Sequence, residues 1–418
     1  MSMQRSSLGA LELTPTIGLP VQLVIAFAAA LLASLFLFVS PALAENSFTA
    51  GSAPETETQV SESTPDAESA NQEPKKESKY ATVVAVELNA VAVKLKNNDQ
   101  FQFEATLIPS IEGKKIKNNK KNKISWSVSN PKVARITETG LVQGKRTGTV
   151  TVTAKTGAGI TATAKVKVKV NKKKMATKVP ILTYHRIASN SAKNRFYQGE
   201  SLAVSASDFR QQMEWLYANG YYTVSSSELR DWRVEGAFLP KKSVMITIDD
   251  GFYETYHVAY PILKRYGQKA TSFIVGWRTP KTTRTYNPKT DNDYYVGRDV
   301  IKRLKTEYPN LEFQSHTYNM HYRGSSGNGI ATEKSIGSLK ADLTKNKKFG
   351  FTALAYPFGH TSSNFIKVLK KDKKIGIAFG YIMHWPATRN SPVYNMPRFK
   401  VMGDGSFDEF LDIVTTAG

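Results

Sequence analysis

Two short motifs in the second half of the chain combine the residue types that bind a catalytic metal ion. The stretch 247–251 reads Thr-Ile-Asp-Asp-Gly, so Asp249 and Asp250 follow an apolar run and precede a glycine. Further along, His316 is followed by a second histidine, His321. Two imidazoles and one carboxylate form a common open metal site that leaves positions for water and substrate. The second carboxylate is then available as a general base.

The elements around these residues must bring them to one place. The apolar run before Asp249 predicts a strand that presents both carboxylates at the carboxyl end of a sheet or barrel, where α/β enzymes carry out their chemistry. His316 and His321 would diverge by roughly 140° on a helix, so a shared metal ion requires a turn between them. In the alternative interpretation, the aspartates cap the next helix and the histidines are ordinary loop residues. The combination of all four in this order favours the metal site.

Length and composition indicate several domains and an exported protein. The chain has 418 residues, a formal net charge of +22 and no cysteine. Two or three domains are expected at this length, and disulfides and thiolate metal ligands are excluded. The positive charge suits anionic envelopes and membrane surfaces. Nucleic acid is not expected as a partner, because the N-terminus predicts export.

The N-terminal region predicts a membrane segment and a spacer. Residues 21–39 are apolar except for two polar positions, and an Ala-Leu-Ala sequence precedes Glu45. Residues 1–44 are therefore a cleaved signal peptide or a retained anchor, and the length of the run favours the anchor. Residues 45–79 are rich in Glu, Ser, Thr, Ala and Pro, which predicts a disordered linker. The expected location is extracellular, either anchored to the cell membrane or secreted to the cell wall.

Two folded domains are expected after the linker. Short alternating strands over 80–172 predict an all-β sandwich, and the Trp-Ser-Val-Ser-Asn-Pro-Lys-Val-Ala stretch at 126–134 resembles bacterial Ig-like domains of group 2. Its basic stretch at 114–123 is either a solvated loop or a weak site for anionic cell-wall polymers. Residues 175–418 alternate strands and helices, which predicts an α/β domain large enough for a barrel. Ser207 is expected to cap the first long helix of this domain.

The motifs of the second domain resemble those of the NodB-type polysaccharide deacetylases, carbohydrate esterase family 4. The likeness rests on the Asp-Asp-Gly and His-Thr motifs and on the Ala-Tyr-Pro-Phe-Gly sequence at 355–359. The Tyr-His-Arg-Ile sequence at 184–187 and the five-residue histidine spacing resemble the subgroup that deacetylates poly-N-acetylglucosamine in biofilms. The resemblance implies a distorted (β/α) barrel with about seven repeats.

The resemblance also implies roles for individual residues. Asp250, His316 and His321 would bind one divalent metal ion, for which zinc is expected and cobalt, manganese or nickel are compatible. Asp249 would be the general base, and the backbone N–H of Phe358 would stabilise the developing oxyanion.

Two roles stay open between alternatives. The general acid is expected to be His185, with His384 as its rival. The wider family has an arginine at the position of Ala355, and Arg398 is expected to replace it in orienting Asp249. In the alternative interpretation, Arg398 is a surface charge on an edge strand.

The expected function is the removal of N-acetyl groups from a GlcNAc-containing polysaccharide by an extracellular metal-dependent deacetylase. The substrate classes are poly-N-acetylglucosamine, peptidoglycan and chitin-like polymers. One alternative is an O-acetyl polysaccharide esterase with the same fold, because both reactions need the same metal and base. The other is a glycan-binding surface adhesin, against which the complete set of metal and base residues argues.

Overall fold

The computed structural model describes residues 78–285, 287, 294–380 and 385–416. The predicted membrane segment at 21–39 and almost all of the predicted linker lie outside these residues. Within the described part of the chain, none of the helices combines the length and apolar character needed to cross a bilayer.

The first domain is built from strands alone. They are β1 (Val83–Leu88), β2 (Ala92–Lys96), β3 (Gln100–Gln102), β4 (Ala105–Pro109), β5 (Ile124–Val128), β6 (Ala134–Ile136), β7 (Leu141–Gly144), β8 (Gly148–Thr156) and β9 (Thr161–Lys169). A sheet of order β2-β9-β8-β5 faces a sheet of order β3-β7-β6 across a common core, and β1 pairs with β4. Alternate residues of β8 and β9 are buried, so the period-two pattern predicted the sandwich correctly.

The second domain alternates strands and helices. Its strands are β10 (Lys178–Val179), β11 (Ile181–Tyr184), β12 (Arg186–Ala188), β13 (Ala203–Ser205), β14 (Tyr222–Thr223), β15 (Ser243–Ile248), β16 (Ala270–Ile274), β17 (Leu311–Ser315), β18 (Ala353–Ala355), β19 (Ile377–Phe379), β20 (Ala387–Thr388) and β21 (Phe399–Lys400). Its helices are α1 (Asn190–Phe196), α2 (Ala206–Ala218), α3 (Ser226–Arg230), α4 (Tyr253–Arg265), α5 (Arg298–Glu307), α6 (Ile336–Asn346), α7 (Ser363–Asp372) and α8 (Phe407–Thr415).

One curved sheet of parallel strands organises this domain. The order is β19-β18-β17-β16-β15-β11-β21, and β14 pairs with β15 beside this path. The two edges of the sheet approach each other through a single bridge between Phe379 and Met396, just before β21. The expected α/β sheet is thus confirmed. Within the described residues, one bridge stands in place of a full strand pairing between the two edges, so the sheet is not a regular closed barrel.

The two faces of the sheet divide the core. Leu182, Ile246 and Ile248 pack against the surrounding helices in the larger cluster. Their neighbours Ile181 and Met245 belong to a separate cluster on the inner face. Successive side chains of a strand point to opposite faces, so the alternation continues through β15 and directs the next inner position, Asp249, toward the mouth of the sheet.

The predicted cap of the first long helix was wrong by two residues. Helix α2 begins at Ala206, and the Oγ of Ser205 accepts a hydrogen bond from the backbone N–H of Asp208. Ser207 lies inside the first turn, where its N–H donates to Oδ1 of Asn190. Both serines suit an N-cap, and the position at which β13 ends decides between them.

The sandwich and the α/β domain also contact each other. Arg135 of the sandwich forms an ion pair with the buried Glu228 of α3. Lys145 Nζ lies 2.6 Å from Oδ2 of Asp231 and 3.1 Å from Oε2 of Glu235. Its backbone carbonyl accepts a hydrogen bond of 2.7 Å from the N–H of Phe238. These partly buried charges define a packed interface in addition to the covalent connection.

Candidate metal centre

The parallel register brings the ends of three strands to one edge of the sheet. Tyr184 pairs with Ile248, so His185 and Asp249 leave β11 and β15 side by side. The N–H of Asp249 donates to the carbonyl of Tyr184 at 2.9 Å. Two strands further, β17 ends at Ser315, and the N–H of the next residue, His316, donates to the carbonyl of Ile274 at 2.9 Å.

The three residues expected to bind the metal converge at this edge. Oδ1 of Asp250 lies 2.8 Å from Nε2 of His321 and 3.4 Å from Nε2 of His316. One ligand atom from each residue lies within 4.8 Å of the others. Asp250 and His316 are buried, and His321 is partly exposed. A site that is buried on two sides and open on the third can admit a substrate.

The donor set fits a divalent ion by its own chemistry. Oδ1 of Asp250 is buried and makes no hydrogen bond of acceptable geometry within the described part of the chain, although both imidazole nitrogens face it. The Nδ1 atom of His316 lies 2.9 Å from the carbonyl oxygen of Ala355. A carbonyl only accepts, so Nδ1 carries the proton and the Nε2 lone pair points at the site. This arrangement is typical of a metal-binding histidine.

Backbone strain is concentrated at the same place. The described chain has five non-glycine residues with positive φ, and three of them are Asp250, Thr317 and Phe358. Such conformations are unfavourable for residues with a side chain and persist where the surrounding contacts impose them. Each of the three is a proposed site residue or the direct neighbour of one.

Asp249 is held by Arg398, which is fully buried. Nη1 and Nη2 of the guanidinium each lie 2.9 Å from one carboxylate oxygen. Burial alone would raise the pKa of Asp249, but the charge and hydrogen bonds of Arg398, together with the nearby His316 and His185, hold the pKa below its ordinary value. The interpretation of Arg398 as a surface charge is therefore wrong, because its side chain is 0% exposed.

The electrostatics of the remaining charged groups follow from burial and proximity. Burial alone would raise the pKa of Asp250, but the imidazoles of His316 and His321 hold it well below its usual range. Burial would lower the pKa of His316, but the carboxylates of Asp249 and Asp250 raise it.

The two candidates for the general acid differ in what the structure describes. His185 follows β11 at the mouth, and its charge interacts with those of Asp249 and Asp250. Burial, with the charges of Arg398 and His316, lowers the pKa of His185 more than the two carboxylates raise it. Its neutral form is therefore favoured at neutral pH in the free protein. His384 lies outside the described residues.

The candidate oxyanion donor lies in a tight turn beside the metal ligands. Phe358 has φ 58° and ψ 9° within the turn Pro357–Gly359. The centroids of its ring and the His321 ring are 4.8 Å apart. The Arg323 guanidinium lies over the Phe358 ring, 4.8 Å from the ring centroid. The turn that contains Phe358 therefore lies next to the metal ligand His321.

Several contacts at the centre were not predicted from the sequence. The carbonyl of Gly380 accepts from Nε of Arg398 at 2.7 Å, and Oγ1 of Thr247 lies 3.3 Å from Nη1. The Asp342 carboxylate accepts from two backbone N–H groups between the metal-binding histidines. Every residue has a backbone carbonyl, so the contact of Gly380 could not be predicted from its residue type. Asp342 lies in an ordinary helical sequence, so its role could not be predicted either.

Two family models match separate stretches of this chain. Residues 238–375 match the family model described as polysaccharide deacetylase. Residues 81–170 match the model described as bacterial Ig-like domain of group 2. Both matched ranges fall inside the domains predicted from the sequence.

The chain is also similar to several individual proteins whose names describe deacetylases. The chain is 28% identical over 247 residues to a poly-β-1,6-N-acetyl-D-glucosamine N-deacetylase of Staphylococcus aureus, covering 55% of this chain and 80% of the relative. Among solved structures, the Streptococcus pyogenes deacetylase PplD in complex with acetate has 22% identity and a TM-score of 0.48, covering 58% of this chain and 100% of that one. A de-N-acetylase from Aggregatibacter actinomycetemcomitans has 21% identity and a TM-score of 0.47, covering 56% and 99%. By the two family matches, the stretch 238–375 belongs to the polysaccharide deacetylases, a family of hydrolases, and it is preceded by a bacterial Ig-like domain of group 2 at 81–170.

Proposed function

We propose that this chain removes N-acetyl groups from a GlcNAc-containing polysaccharide in a metal-dependent hydrolysis outside the cell. The observation that carries the proposal is the convergence of Asp250, His316 and His321 beside the Asp249–Arg398 pair. A module that only binds glycan needs neither a ligand set of this kind nor a buried carboxylate oriented by a guanidinium.

The three ligands would hold one divalent ion, and the oxygen and nitrogen donors suit zinc, cobalt, manganese or nickel. When bound, the ion would lower the pKa of a water molecule and polarise the acetyl carbonyl. The protein contributes a fixed geometry: His316 is oriented by the Ala355 carbonyl, and Asp250 presents the buried Oδ1 to both imidazoles.

Asp249 would take a proton from the attacking water. Arg398 keeps this carboxylate ionised and fixes its plane through two parallel hydrogen bonds. Each oxygen retains a further lone pair, so the carboxylate can still accept from water. The low pKa makes Asp249 a weak base in the free protein, and its advantage is position rather than basicity.

His185 would donate a proton to the leaving amine, and the Phe358 N–H would stabilise the oxyanion. The side-by-side exit of His185 and Asp249 from paired strands supports a division into acid and base. A buried imidazole with a lowered pKa is a strong acid once protonated, although the protonated form is the minor one at neutral pH. The strained turn at Phe358 supports the role of its N–H, since strain of this kind is common at active sites.

The substrate class rests on the relatives and on the motif pattern. The Staphylococcus aureus relative is named for poly-β-1,6-N-acetyl-D-glucosamine, so this polymer is the first candidate for the present chain. The extracellular location rests on the apolar N-terminal run and on the character of such polymers as material outside the cell. Zinc is the proposed ion.

Acetate release from a panel of acetylated glycans tests the function. The purified full chain is treated with chelator and assayed with and without added zinc on poly-N-acetylglucosamine oligomers, chitin oligomers, peptidoglycan fragments and acetylated xylan. Zinc-dependent acetate release from an N-acetylated polymer is the expected result. Release from acetylated xylan alone would make the protein an O-acetyl esterase. Binding without release from any of them would contradict hydrolysis.

A further inference from the structure

The segment between the two metal-binding histidines has to change direction sharply. His316 follows directly on β17, whereas His321 is reached only after four further residues. Thr317 adopts a positive φ of 66° to begin the turn. A short irregular segment of this kind has backbone polar groups without partners in a sheet or helix, and these groups need partners elsewhere.

Asp342 supplies two of these partners from helix α6. Its Oδ1 accepts a hydrogen bond of 2.7 Å from the N–H of Tyr318, and its Oδ2 accepts one of 2.8 Å from the N–H of Asn319. The carboxylate is 6% exposed. Successive backbone N–H groups that point into one concavity bind an anion well, and here the anion is a side chain of the protein. Both oxygens are engaged, so the carboxylate restrains the segment at two adjacent points.

The same helix also contacts the end of β17, directly before His316. Asn346, one turn after Asp342, donates from Nδ2 to Oγ of Ser315 at 2.9 Å. That hydroxyl oxygen accepts from the N–H of Thr317 at 3.2 Å. Helix α6 therefore contacts the middle of the segment through Asp342, and it reaches the start of the segment indirectly, through Ser315. Residues four apart on a helix share a face, so both contacts come from one side of α6.

The opposite side of the segment is bound by the turn after β16. The carbonyl of Thr317 accepts from the N–H of Gly276 at 3.1 Å, and that of Tyr318 accepts from the N–H of Trp277 at 2.7 Å. The carbonyls of Thr317 and Tyr318 are thus bonded by this turn, whereas the N–H groups of Tyr318 and Asn319 are bonded by α6. Among these contacts, only the one from Asp342 uses a charged group.

We propose that Asp342 is a positioning residue of the metal centre, which holds the 317–320 segment so that His321 faces Asp250 at the same time as His316. The proposal rests on the metal site of the proposed function. Asp342 contacts backbone groups two and three positions before His321 and none of the three ligands themselves. Without it, the segment has two unsatisfied N–H groups and other conformations become accessible, in which His321 is displaced from the ion.

The Asp342→Asn variant tests the proposal through metal affinity rather than activity. An amide offers one oxygen to the segment and turns its NH2 group toward the second N–H, so one hydrogen bond is replaced by a repulsive contact. Zinc affinity of the full chain is measured by competition with a chromophoric chelator. We expect it to fall by about 10- to 100-fold, as for other residues that orient metal ligands.

Glu228→Gln provides the matched control. Glu228 is also a buried carboxylate, and it also accepts a backbone hydrogen bond, from the N–H of Ser225 at 2.9 Å, but it lies at the domain interface. Both substitutions are expected to lower the melting temperature. Only Asp342→Asn is expected to weaken zinc binding, and equal zinc affinities of the two variants would overturn the proposal.

A double substitution separates positioning of His321 from a general effect on the fold. In a His321→Ala background, Asp342→Asn is expected to weaken zinc binding by less than about 2-fold, because its effect passes through the ligand already removed. A full additive loss in that background would contradict the proposal.

If Asp342→Asn does not fold, Asp342→Glu replaces it, since the longer side chain displaces the carboxylate while keeping its charge. A folded Asp342→Glu variant with wild-type zinc affinity would then overturn the proposal. Zinc affinity and melting temperature do not depend on acetate release. A failure of the deacetylase hypothesis would therefore be detected in the acetate-release experiment and not in these measurements.

Discussion

The guanidinium of Arg398 donates one hydrogen bond of 2.9 Å to each carboxylate oxygen of Asp249. The two residues are 149 positions apart in the chain. Both side chains are buried, and Nε of the same guanidinium donates to the carbonyl of Gly380. The pair is therefore fixed at a third point by the backbone that approaches the closure of the sheet. Bidentate geometry restricts the plane of the carboxylate as well as its distance.

Arg398→Ala is expected to damage both stability and catalysis. Removing one partner of a buried ion pair leaves an uncompensated charge, which typically costs about 3–5 kcal/mol of unfolding free energy. Arg398 holds the pKa of Asp249 down, so its loss raises that pKa. A base must be deprotonated to act, and the acidic limb of the pH–rate profile should therefore move to higher pH. Thermal unfolding and the pH dependence of acetate release measure the two effects.

Arg398→Lys is the control for the preceding variant. Lysine keeps the charge but lacks the planar fork, so it should restore part of the stability and less of the activity. Wild-type activity in Arg398→Lys would show that charge alone suffices and that the fork is unimportant.

Asp249→Asn and Asp250→Asn should separate base from ligand. Asp249→Asn is expected to retain most of the bound zinc while turnover falls by roughly 100-fold or more, since general base catalysis typically contributes that much. Asp250→Asn should lose the zinc itself. Metal content by elemental analysis, compared with acetate release, distinguishes them. If zinc content falls equally in both variants, Asp249 is a ligand and the assignment is reversed.

His185→Ala should distinguish amide from ester hydrolysis. An amine leaves only after protonation, whereas the leaving group of an activated acetate ester needs no proton. The variant is therefore expected to lose most N-deacetylation and to keep more activity on the ester. Equal loss on both substrates would indicate a structural role. Full activity of His185→Ala beside an inactive His384→Ala would transfer the acid role to His384.

Glu228 should make the stability of the protein depend on pH in the acid range. Burial alone would raise its pKa, but Lys269 and Arg135 outweigh that effect and lower the pKa from 4.5 to about 2. A carboxyl with a depressed pKa contributes stability above its unfolded value, and this contribution is lost as pH falls through the folded value. The free energy of unfolding should therefore decrease by roughly 3 kcal/mol between about pH 4.5 and pH 2 through this group.

Denaturant unfolding across that range measures the effect. Glu228→Gln should remove this component of the pH dependence and lower the stability at neutral pH. An unchanged acid profile in the variant would mean that Glu228 does not contribute to the pH dependence of unfolding. Because Arg135 belongs to the sandwich, Arg135→Ala should flatten the profile in part and leave the contribution of Lys269.

Much of this protein could be predicted from local patterns in the sequence. Alternation of buried residues in β8 and β9 identifies the sandwich, because a strand repeats every two residues whatever its partners are. The apolar run of β15 places Asp249 and Asp250 at a strand end by the same local rule. The residue types suggested a metal site made of two histidines and one carboxylate, and the resemblance of the motifs to the polysaccharide deacetylases implied Asp250, His316 and His321 as its ligands.

The remaining features depend on contacts between distant parts of the chain. Whether Arg398 is buried against Asp249 or exposed on an edge strand is decided by the closure of the sheet near Met396. The choice of Ser205 over Ser207 as a helix cap depends on where β13 ends. The two hydrogen bonds that Asp342 accepts from the segment before His321 depend on where α6 packs. These features are set by packing and hydrogen bonds between residues that are distant in the sequence, so local propensities do not predict them.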